Sequence, residues 1–575
     1  MTASRRPVRE YLFASALREA FAEGYRGPQL RADIVAGITL GIVAIPLAMA
    51  LAIATGVPPQ HGLYAAIVGG LVIAVAGGSR FNISGPTAAF VAILLPIVGA
   101  HGIGGLLVAT VMAGIILVAI GMSRLGRLVE FIPYPVIIGF TAGIGVVIAT
   151  LQLKDFFGLE VVLIQPHFVD KVMALLGALP SLRWESVAVA AAALFTMLAW
   201  PRLKTPVPAH LMALVVGTLF ALGCAQLFPG FRVDTIGSEF SWSMNGESGT
   251  GIPPFLPAFV FPWELPGADG NPVGLSFHLV RELLPAAFAI ALLCAIESLL
   301  CAVVADGFTG KRHNPNGELV GQGLGNIFAP FFGGITCTAA IARTAANVRV
   351  GATSPVSGAV HALMVLAALL LLAPLLSEVP MAALAALLLV VAWNMAEPQH
   401  VVHMIRISPR ADVVVLLTCF VLTVVFDMVL AVGVGMVLAA ALFIRRMGEL
   451  TGARLVAPQQ HEHLAKLPPG VVVYDVNGPL FFGAARQALE NLGYAGGDTR
   501  AVVMDMSDVT VIDMTGLVAF TALRDRLRQR GVLLVVCCAP IRIRAKLERA
   551  GVVAEPGVLQ FAGGYDEALA LCRST

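Results

Sequence analysis

Charged residues are scarce in this chain. Only 13% of its 575 residues are Asp, Glu, Lys or Arg and 58% are hydrophobic, whereas a soluble domain carries about 25% charged residues. The mean hydropathy is +0.86. So few polar groups cannot cover a water-facing surface, which excludes a soluble enzyme over most of the length. Disorder is excluded because it requires low hydrophobicity and high charge. A net charge of +2 gives no reason to expect nucleic-acid binding.

The eight cysteines lack the spacing of a metal or disulfide site. None belongs to a CxxC or Cys/His pattern, and none lies in residues 230–280. We therefore expect no disulfide framework, no metal and no cofactor. Residues 1–30 contain no uninterrupted apolar core of a signal peptide, and are typical of a basic, amphipathic cytoplasmic segment.

Long apolar runs fill residues 31–446. A membrane span needs about 20 apolar residues, and fourteen candidates are present, near 34–55, 62–78, 84–100, 102–121, 132–152, 185–200, 209–229, 283–305, 319–334, 339–352, 355–373, 379–395, 411–427 and 428–446. Hydropathy alone allows ten to fourteen spans. A count of fourteen places the basic loops inside and the acidic segment 230–280 outside, as the positive-inside rule predicts. We predict a mostly α membrane protein with both termini in the cytoplasm.

Residues 447–575 have a different composition. Short apolar runs at 470–476, 500–506 and 532–538 are typical of strands, and 516–530 and 541–550 are typical of helices. Alternating strands and helices predict a small cytoplasmic α/β domain.

Two membrane segments are broken by Gly, Pro and small hydroxyl residues. They are SRFNISGPTA, residues 79–88, and GGITCTAAIART, residues 333–344. Irregular backbone at membrane depth is tolerated only where it is buried in protein or lines a polar cavity. One such segment in each half is typical of an inverted-repeat transporter with its site at the midplane. The alternative is that Gly and Pro merely kink two ordinary helices.

The broken segments predict an anion as ligand. A half-helix N-terminus presents unpaired N–H groups and about half a positive charge. Arg343, near the start of the second half-helix, adds a full charge, unless it serves an interface or a structural ion pair.

Glu297 is an isolated acid within AIALLCAIESLLCAVV. An intramembrane carboxylate is a candidate proton carrier, and the alternative is a structural acid bonded between helices. Cys301 lies one turn further along the same face.

Several stretches of the chain resemble signature sequences of the sulfate permease (SulP) anion transporters. The matching stretches include residues 34–70, NISGPTAAF, AIESLLCAVVADG, LVGQGLGNIFAPFFGGITCTAAIARTAANVRVGATSP and FDMVLAVGVG, in the family's order. MDMSDVTVIDMTGLVAF, residues 504–520, resembles the core of a STAS domain. Within the family, the chain most resembles bacterial transporters of four-carbon dicarboxylates.

The resemblance implies a seven-plus-seven inverted repeat. Residues 31–446 would form the transport domain, in which core helices 1–4 and 8–11 move against gate helices 5–7 and 12–14, and residues 447–575 the STAS domain. The anion would lie between half-helices 3 and 10. The residues implied to bind it are Leu47, Leu51, Ser84, Gly85, Thr87, Thr338, Ala340, Ile341, Ala342 and Arg343.

Two positions qualify the resemblance. Sodium-coupled members carry an Asp where this chain has Glu297 and a Thr where it has Cys301. Because Na⁺ prefers oxygen to a soft thiol, Cys301 as a site-lining residue favours proton coupling through Glu297. In the STAS domain, Thr515 occupies a position that is phosphorylated in related domains, and the alternative is that it caps the following helix.

Together these observations predict a transporter rather than an enzyme. We expect proton-coupled import of succinate, fumarate or aspartate across the bacterial inner membrane by an elevator-like movement. The partners implied are a small anion, protons, the lipid bilayer, a second copy in a homodimer, and a cytoplasmic regulator of the STAS domain. The alternatives are a sulfate or bicarbonate transporter, a passive anion channel, and a signalling protein whose output is the STAS domain.

Overall fold

The computed structural model describes residues 11–127, 132–161, 168–205, 207–244, 246–426, 428–450, 452–456, 467–481 and 498–573. The chain divides into two compact units, residues 1–436 and 437–575. The first unit is helical and the second contains a five-stranded sheet with helices. Asp427, at the end of the predicted span 411–427, and residues 457–466 and 482–497 lie outside the described residues.

The helical unit begins with the short helix α1, Ser15–Ala22. The helices that follow are α2 Gly27–Ala54, α3 Pro59–Tyr64, α4 Gly70–Ala76, α5 Val91–Met122, α6 Tyr134–Phe157, α7 Phe168–Gly177, α8 Trp184–Ala199, α9 Ala209–Leu227 and α10 Ile236–Glu239. The later helices are α11 Phe277–Thr309, α12 Pro315–Phe328, α13 Ile341–Val350, α14 Val356–Ser377, α15 Met381–Ala396, α16 Pro398–Ile407 and α17 Arg410–Val425. Helix α18, Met428–Leu450, begins in this unit and ends in the second.

Ten described helical stretches are long and apolar enough to cross a membrane. One of them, Ala88–Met122, covers two predicted spans, because Gly102 breaks it with a φ of +66°. The shorter helices α12, α13 and α17 account for the rest, so each of the fourteen predicted segments has a described helix. The predicted mostly α membrane fold is therefore confirmed.

Several predicted boundaries were wrong. Helix α11 begins at Phe277, six residues before the predicted 283, because Ser276 caps it by accepting from the Leu279 N–H at 3.1 Å. The segment predicted at 319–334 ends as a helix at Phe328. The segment predicted from 84 becomes helical only at Ala88.

The helices of the first unit pack in two groups. In the core group, α5 packs on α11 and α12, and α2 packs on α14. In the gate group, α6 packs on α15 and α17, and α8 packs on α9 and α15. Movement of one group against the other stays a prediction.

The segment between α9 and α11 contains a hairpin that the sequence did not suggest. Strands β2, Ser241–Met244, and β3, Glu247–Thr250, pair antiparallel. After the hairpin, the Ile252 N–H donates to Ser377 Oγ at 3.0 Å, which ties the segment to the end of α14.

The second unit has the sheet order β5-β6-β7-β8-β9. The strands are β5 Gly452–Leu455, β6 Val471–Asn477, β7 Ala501–Asp505, β8 Leu533–Cys537 and β9 Leu559–Ala562. The first pair is antiparallel and the other three are parallel. The helices among the described residues of this unit are α19 Met514–Gln529, α20 Ile541–Arg549 and α21 Tyr565–Arg573. The α/β prediction is confirmed, although β5, β9 and α21 were not anticipated.

Candidate functional site

The two broken segments meet in the core group as a pair of short strands. Strand β1, Ser84–Gly85, pairs antiparallel with β4, Thr338–Ala339, with Gly85 opposite Thr338. Three residues after Gly85 a helical segment begins at Ala88, and three residues after Thr338 α13 begins at Ile341. Because the strands are antiparallel, the two helical segments run away from the strand pair in opposite directions. Both helix N-termini therefore lie beside the strand pair.

Both N-termini keep backbone N–H groups available. The residues before them are Thr87 and Ala340, and neither side chain caps its own helix. Uncapped N–H groups and the helix dipole favour a negative ligand. Thr87 is buried, whereas Ile341 has 47% of its surface exposed and Ala342 is also exposed.

Arg343 brings a positive charge to the same point. Its side chain is buried, and Nη2 donates to the carbonyl of Pro86 in the opposite segment. Nη1 is buried without a hydrogen-bond partner among the described residues. A Cβ at Gly85 would lie 2.7 Å from Nη1, so glycine is needed for this approach. The guanidinium thus bridges the two half-helices with one donor group unused.

Glu297 lies on α11 beside the first N-terminus. Its Oε2 accepts a hydrogen bond from Thr87 Oγ1 at 2.9 Å, and Thr87 directly follows Pro86, whose carbonyl accepts from Arg343. The thiols of Cys294 and Cys301, one turn to either side, are fully buried. The structure therefore brings Glu297, Thr87 and Arg343 together.

The remaining predicted residues differ in their surroundings. Leu51 of α2 is buried and Leu47 is partly exposed. Ser84 Oγ accepts from Gln322 Nε2 at 3.2 Å, and Thr338 Oγ1 donates to the Cys294 carbonyl at 3.3 Å. These two hydroxyls therefore already have partners within the protein.

Sequence reasoning missed three polar side chains on α12. Glu318, Gln322 and Asn326 are buried and hydrogen-bonded to the broken segments. Their four-residue spacing in ELVGQGLGNIF was a usable signal, because residues at that spacing share one helix face.

In the second unit, Thr515 is exposed at the start of α19. The alternative role of helix cap was wrong, because Asp513 is the cap and its Oδ1 accepts from the Gly516 N–H at 2.8 Å. Phosphorylation of Thr515 stays a prediction.

The fold of the whole chain is that of SLC26-type anion transporters. It matches a structure of SLC26A9 over 98% of this chain and 93% of that one, with a TM-score of 0.82 and 18% sequence identity. It also matches the transmembrane domain of a cyanobacterial bicarbonate transporter, BicA, over 72% of this chain and 98% of that one, with a TM-score of 0.59 and 26% identity.

The family model of the sulfate permease family matches residues 30–419. The chain belongs to the sulfate permease family. A STAS domain model matches residues 464–562, as expected for the second unit. Sulfate permease family members are anion transporters rather than enzymes, so this chain is a multi-pass membrane transporter of anions.

The similar proteins within the sulfate permease family include transporters named for sulfate and transporters named for bicarbonate. A putative sulfate transporter of Bacillus subtilis, YvdB, is 39% identical over 95% of this chain and 98% of its own length. The bicarbonate transporter BicA of a Picosynechococcus strain is 30% identical over 90% of both chains.

Proposed function

We propose that the protein is a secondary transporter of a small oxyanion of the sulfate or bicarbonate kind. The observation that carries this proposal is Arg343 Nη1, a buried donor without a partner beside two uncapped helix N-termini. A buried donor left unpaired costs about 1–3 kcal/mol. An anion oxygen at that place removes the cost and also accepts backbone N–H bonds.

Glu297 is proposed to couple transport to protons. Its carboxylate is hydrogen-bonded to Thr87, the residue before the helical segment that begins at Ala88. Its negative charge therefore repels an anion bound at that N-terminus. Protonation removes that charge and permits binding, and loss of the proton expels the anion. Between binding and release, the core group carries the anion along the gate group in an elevator-like step.

The names of the relatives favour sulfate or bicarbonate as the substrate. A second candidate is proton-coupled import of succinate, fumarate or aspartate. It is supported by the resemblance of SRFNISGPTAAF and AIESLLCAVV to the bacterial dicarboxylate transporter DauA. A helix N-terminus and a guanidinium suit any of these anions, so measured uptake decides between the two candidates.

The family membership also supports a proposal for location and assembly. We propose the bacterial inner membrane with both termini in the cytoplasm, a homodimer, and a STAS domain that serves regulation. A crosslink between single-cysteine copies in native membranes tests the dimer independently of transport.

The substrate is tested by uptake into proteoliposomes at external pH 5 and pH 7.5. Labelled sulfate, bicarbonate and succinate are each supplied with the other two as competitors. Accumulation of an inorganic anion supports the proposal, and accumulation of succinate alone overturns it in favour of the second candidate. Flux that never exceeds equilibrium identifies a passive channel.

The coupling is tested with Glu297→Gln, which keeps the size of the side chain but cannot titrate. We expect proton-driven accumulation to disappear while exchange of labelled for unlabelled anion persists. Glu282→Gln, on the same helix with a half-exposed side chain, is the matched control and should accumulate anion normally. Full proton-driven accumulation by Glu297→Gln contradicts the coupling role.

A further inference from the structure

Helix α12 carries a row of buried polar side chains that anion binding does not explain. Glu318 is 1% exposed, and Gln322 and Asn326 are 0% exposed. They are spaced four residues apart and so lie on one face of the helix. Polar groups this deep are costly unless every one is bonded, so their partners show what the row is for.

Asn326 holds the second broken segment by its backbone. Its Oδ1 accepts from the Cys337 N–H at 2.9 Å, and its Nδ2 donates to the Cys337 carbonyl at 2.8 Å. The side-chain amide of Asn326 thus bonds both the N–H and the carbonyl of Cys337. Cys337 directly precedes β4, which leads into the half-helix of Arg343.

Glu318 holds the first broken segment in a similar way. Its carboxylate accepts from the backbone N–H groups of Gly78 and Ser79 at 3.0 and 2.9 Å, and from Asn82 Nδ2 at 2.7 Å. These residues lie two to six positions before β1, which leads into the half-helix that begins after Thr87.

Gln322 joins the two ends of the row. Its Nε2 donates to Glu318 Oε1 at 2.9 Å and to Ser84 Oγ at 3.2 Å, and its backbone carbonyl accepts from Asn326 Nδ2 at 2.9 Å. The row therefore reaches from one broken segment to the other along a single rigid helix.

A rigid template of this kind is needed because the broken segments provide little structure of their own. Their strands have two residues each. Non-helical backbone at membrane depth must find partners in the surrounding protein. The position of each helix N-terminus is set where its segment is anchored, and a displacement of about 1 Å in a binding group can change function by 10²-fold.

We propose that Glu318, Gln322 and Asn326 are positioning residues that set the relative placement of the two half-helix N-termini. Asn326 acts on the half-helix of Arg343, and Glu318 acts on that of Thr87. This inference rests on the proposed function, because the half-helices are the proposed anion site. The three side chains do not touch the anion themselves.

The first test is the anion affinity of Asn326→Asp. Aspartate keeps the acceptor for the Cys337 N–H but places a second oxygen against the Cys337 carbonyl. We expect KM for the transported anion to rise on the order of 10- to 100-fold, with smaller loss of kcat. The matched control is Asn316→Asp on the same helix, whose Oδ1 accepts from the Gly126 N–H at 3.0 Å, away from the broken segments. The control should stay within about twofold of the parent.

Double-mutant cycles separate positioning from general destabilisation. Asn326→Asp combined with Arg343→Lys should give a non-additive effect on KM, because both act through α13, whereas Asn326→Asp combined with Thr87→Val should be nearly additive. Glu318→Gln should give a non-additive effect on KM with Thr87→Val and a nearly additive effect with Arg343→Lys. Additive effects in every cycle, or a parental KM for Asn326→Asp, overturn the proposal.

A measurement without anion keeps the two proposals distinguishable. Hydrogen exchange should accelerate in residues 335–340 for Asn326→Asp and in residues 78–83 for Glu318→Gln, each without change in the other segment. If the parent transports none of the three anions but this pattern appears, the proposed function fails and the positioning role stands. If the parent transports and exchange is unchanged in both segments, the positioning role fails alone.

Discussion

The core group and the gate group differ in the partners of their polar side chains. In the core group, two buried amide side chains cross to other segments: Asn82 donates to the Ser298 carbonyl, and Asn347 donates to the Phe81 carbonyl. In the gate group, Thr141, Thr150, Thr196 and Thr423 donate to carbonyls of their own helices.

The gate helices are held by close approach, as the continuous core helices are at Gly37 and Gly41 of α2. A Cβ at Gly139 would lie 2.5 Å from the Leu416 carbonyl oxygen, and one at Gly143 would lie 2.7 Å from Thr423 Cβ. Glycines four residues apart let membrane helices pack backbone to backbone. The comparison teaches that broken segments recruit side chains to bond their backbone, whereas continuous helices satisfy it themselves and are free to present small apolar surfaces.

The largest expected effect comes from breaking a polar tie of the core group. Asp33 of α2 is fully buried and accepts from the N–H and hydroxyl groups of Thr353 and Ser354, and from Tyr25 Oη. Asp33→Ala leaves several buried donors unpaired and should destabilise the protein by about 3–5 kcal/mol. Thermal unfolding in detergent measures the loss. Asp170→Ala, exposed at the start of α7, is the control, and an equal loss in both variants contradicts the comparison.

A smaller effect is expected from filling a contact of the gate group. Gly143→Leu overpacks the α6–α17 contact and should cost about 1–3 kcal/mol, with a lower transport rate and an unchanged KM. Gly223→Leu, in α9 where a Cβ meets nothing within 4 Å, should leave both quantities unchanged. Uptake kinetics and detergent unfolding distinguish the two variants, and a raised KM in Gly143→Leu contradicts separate roles for the groups.

The smallest effect concerns the tie between α1 and the core group. The Arg80 guanidinium bonds both oxygens of Glu23 at 2.6 and 2.7 Å, and with Lys311 it lowers the pKa of Glu23 from 4.5 to about 2. A carboxyl group whose pKa is lowered by folding stabilises the folded state at a pH above its pKa in the unfolded chain. For Glu23 this contribution is complete above about pH 4.5 and is lost as the pH falls through about 2. Glu23 is half-exposed, and such pairs give about 0.2–1 kcal/mol.

Hydrogen exchange of residues 15–23, corrected for the intrinsic rate at each pH, measures this effect. Protection should fall by a factor of roughly 1.5 to 5 between pH 5 and pH 2. Glu23→Gln should show the low protection at both pH values. A parent whose protection does not change with pH contradicts the role assigned to the pair.

The sequence was sufficient to predict the spans, the α/β unit and the two broken segments, because apolar runs and Gly/Pro punctuation are local signals. It did not predict the start of α11, because the charged turn around Arg281 and Glu282 extends beyond the apolar run. It did not predict the partners of Glu318 or Asn326 either, because each bonds backbone from a distant segment. Hydrogen bonding between segments is decided by tertiary placement, which one chain's pattern does not show.

The crossing of the two strands also fixes an order of events during synthesis. The Ile83 N–H donates to Thr344 Oγ1, a partner 261 residues later in the chain. At a ribosomal rate of 5–20 residues per second, that partner emerges roughly 13 to 50 s after its donor. During that interval the first broken segment has entered the bilayer while its permanent bonds do not yet exist. The first half of the nascent chain therefore needs other hydrogen-bond partners, such as water within the insertion machinery or the machinery itself, until the second half has been synthesised.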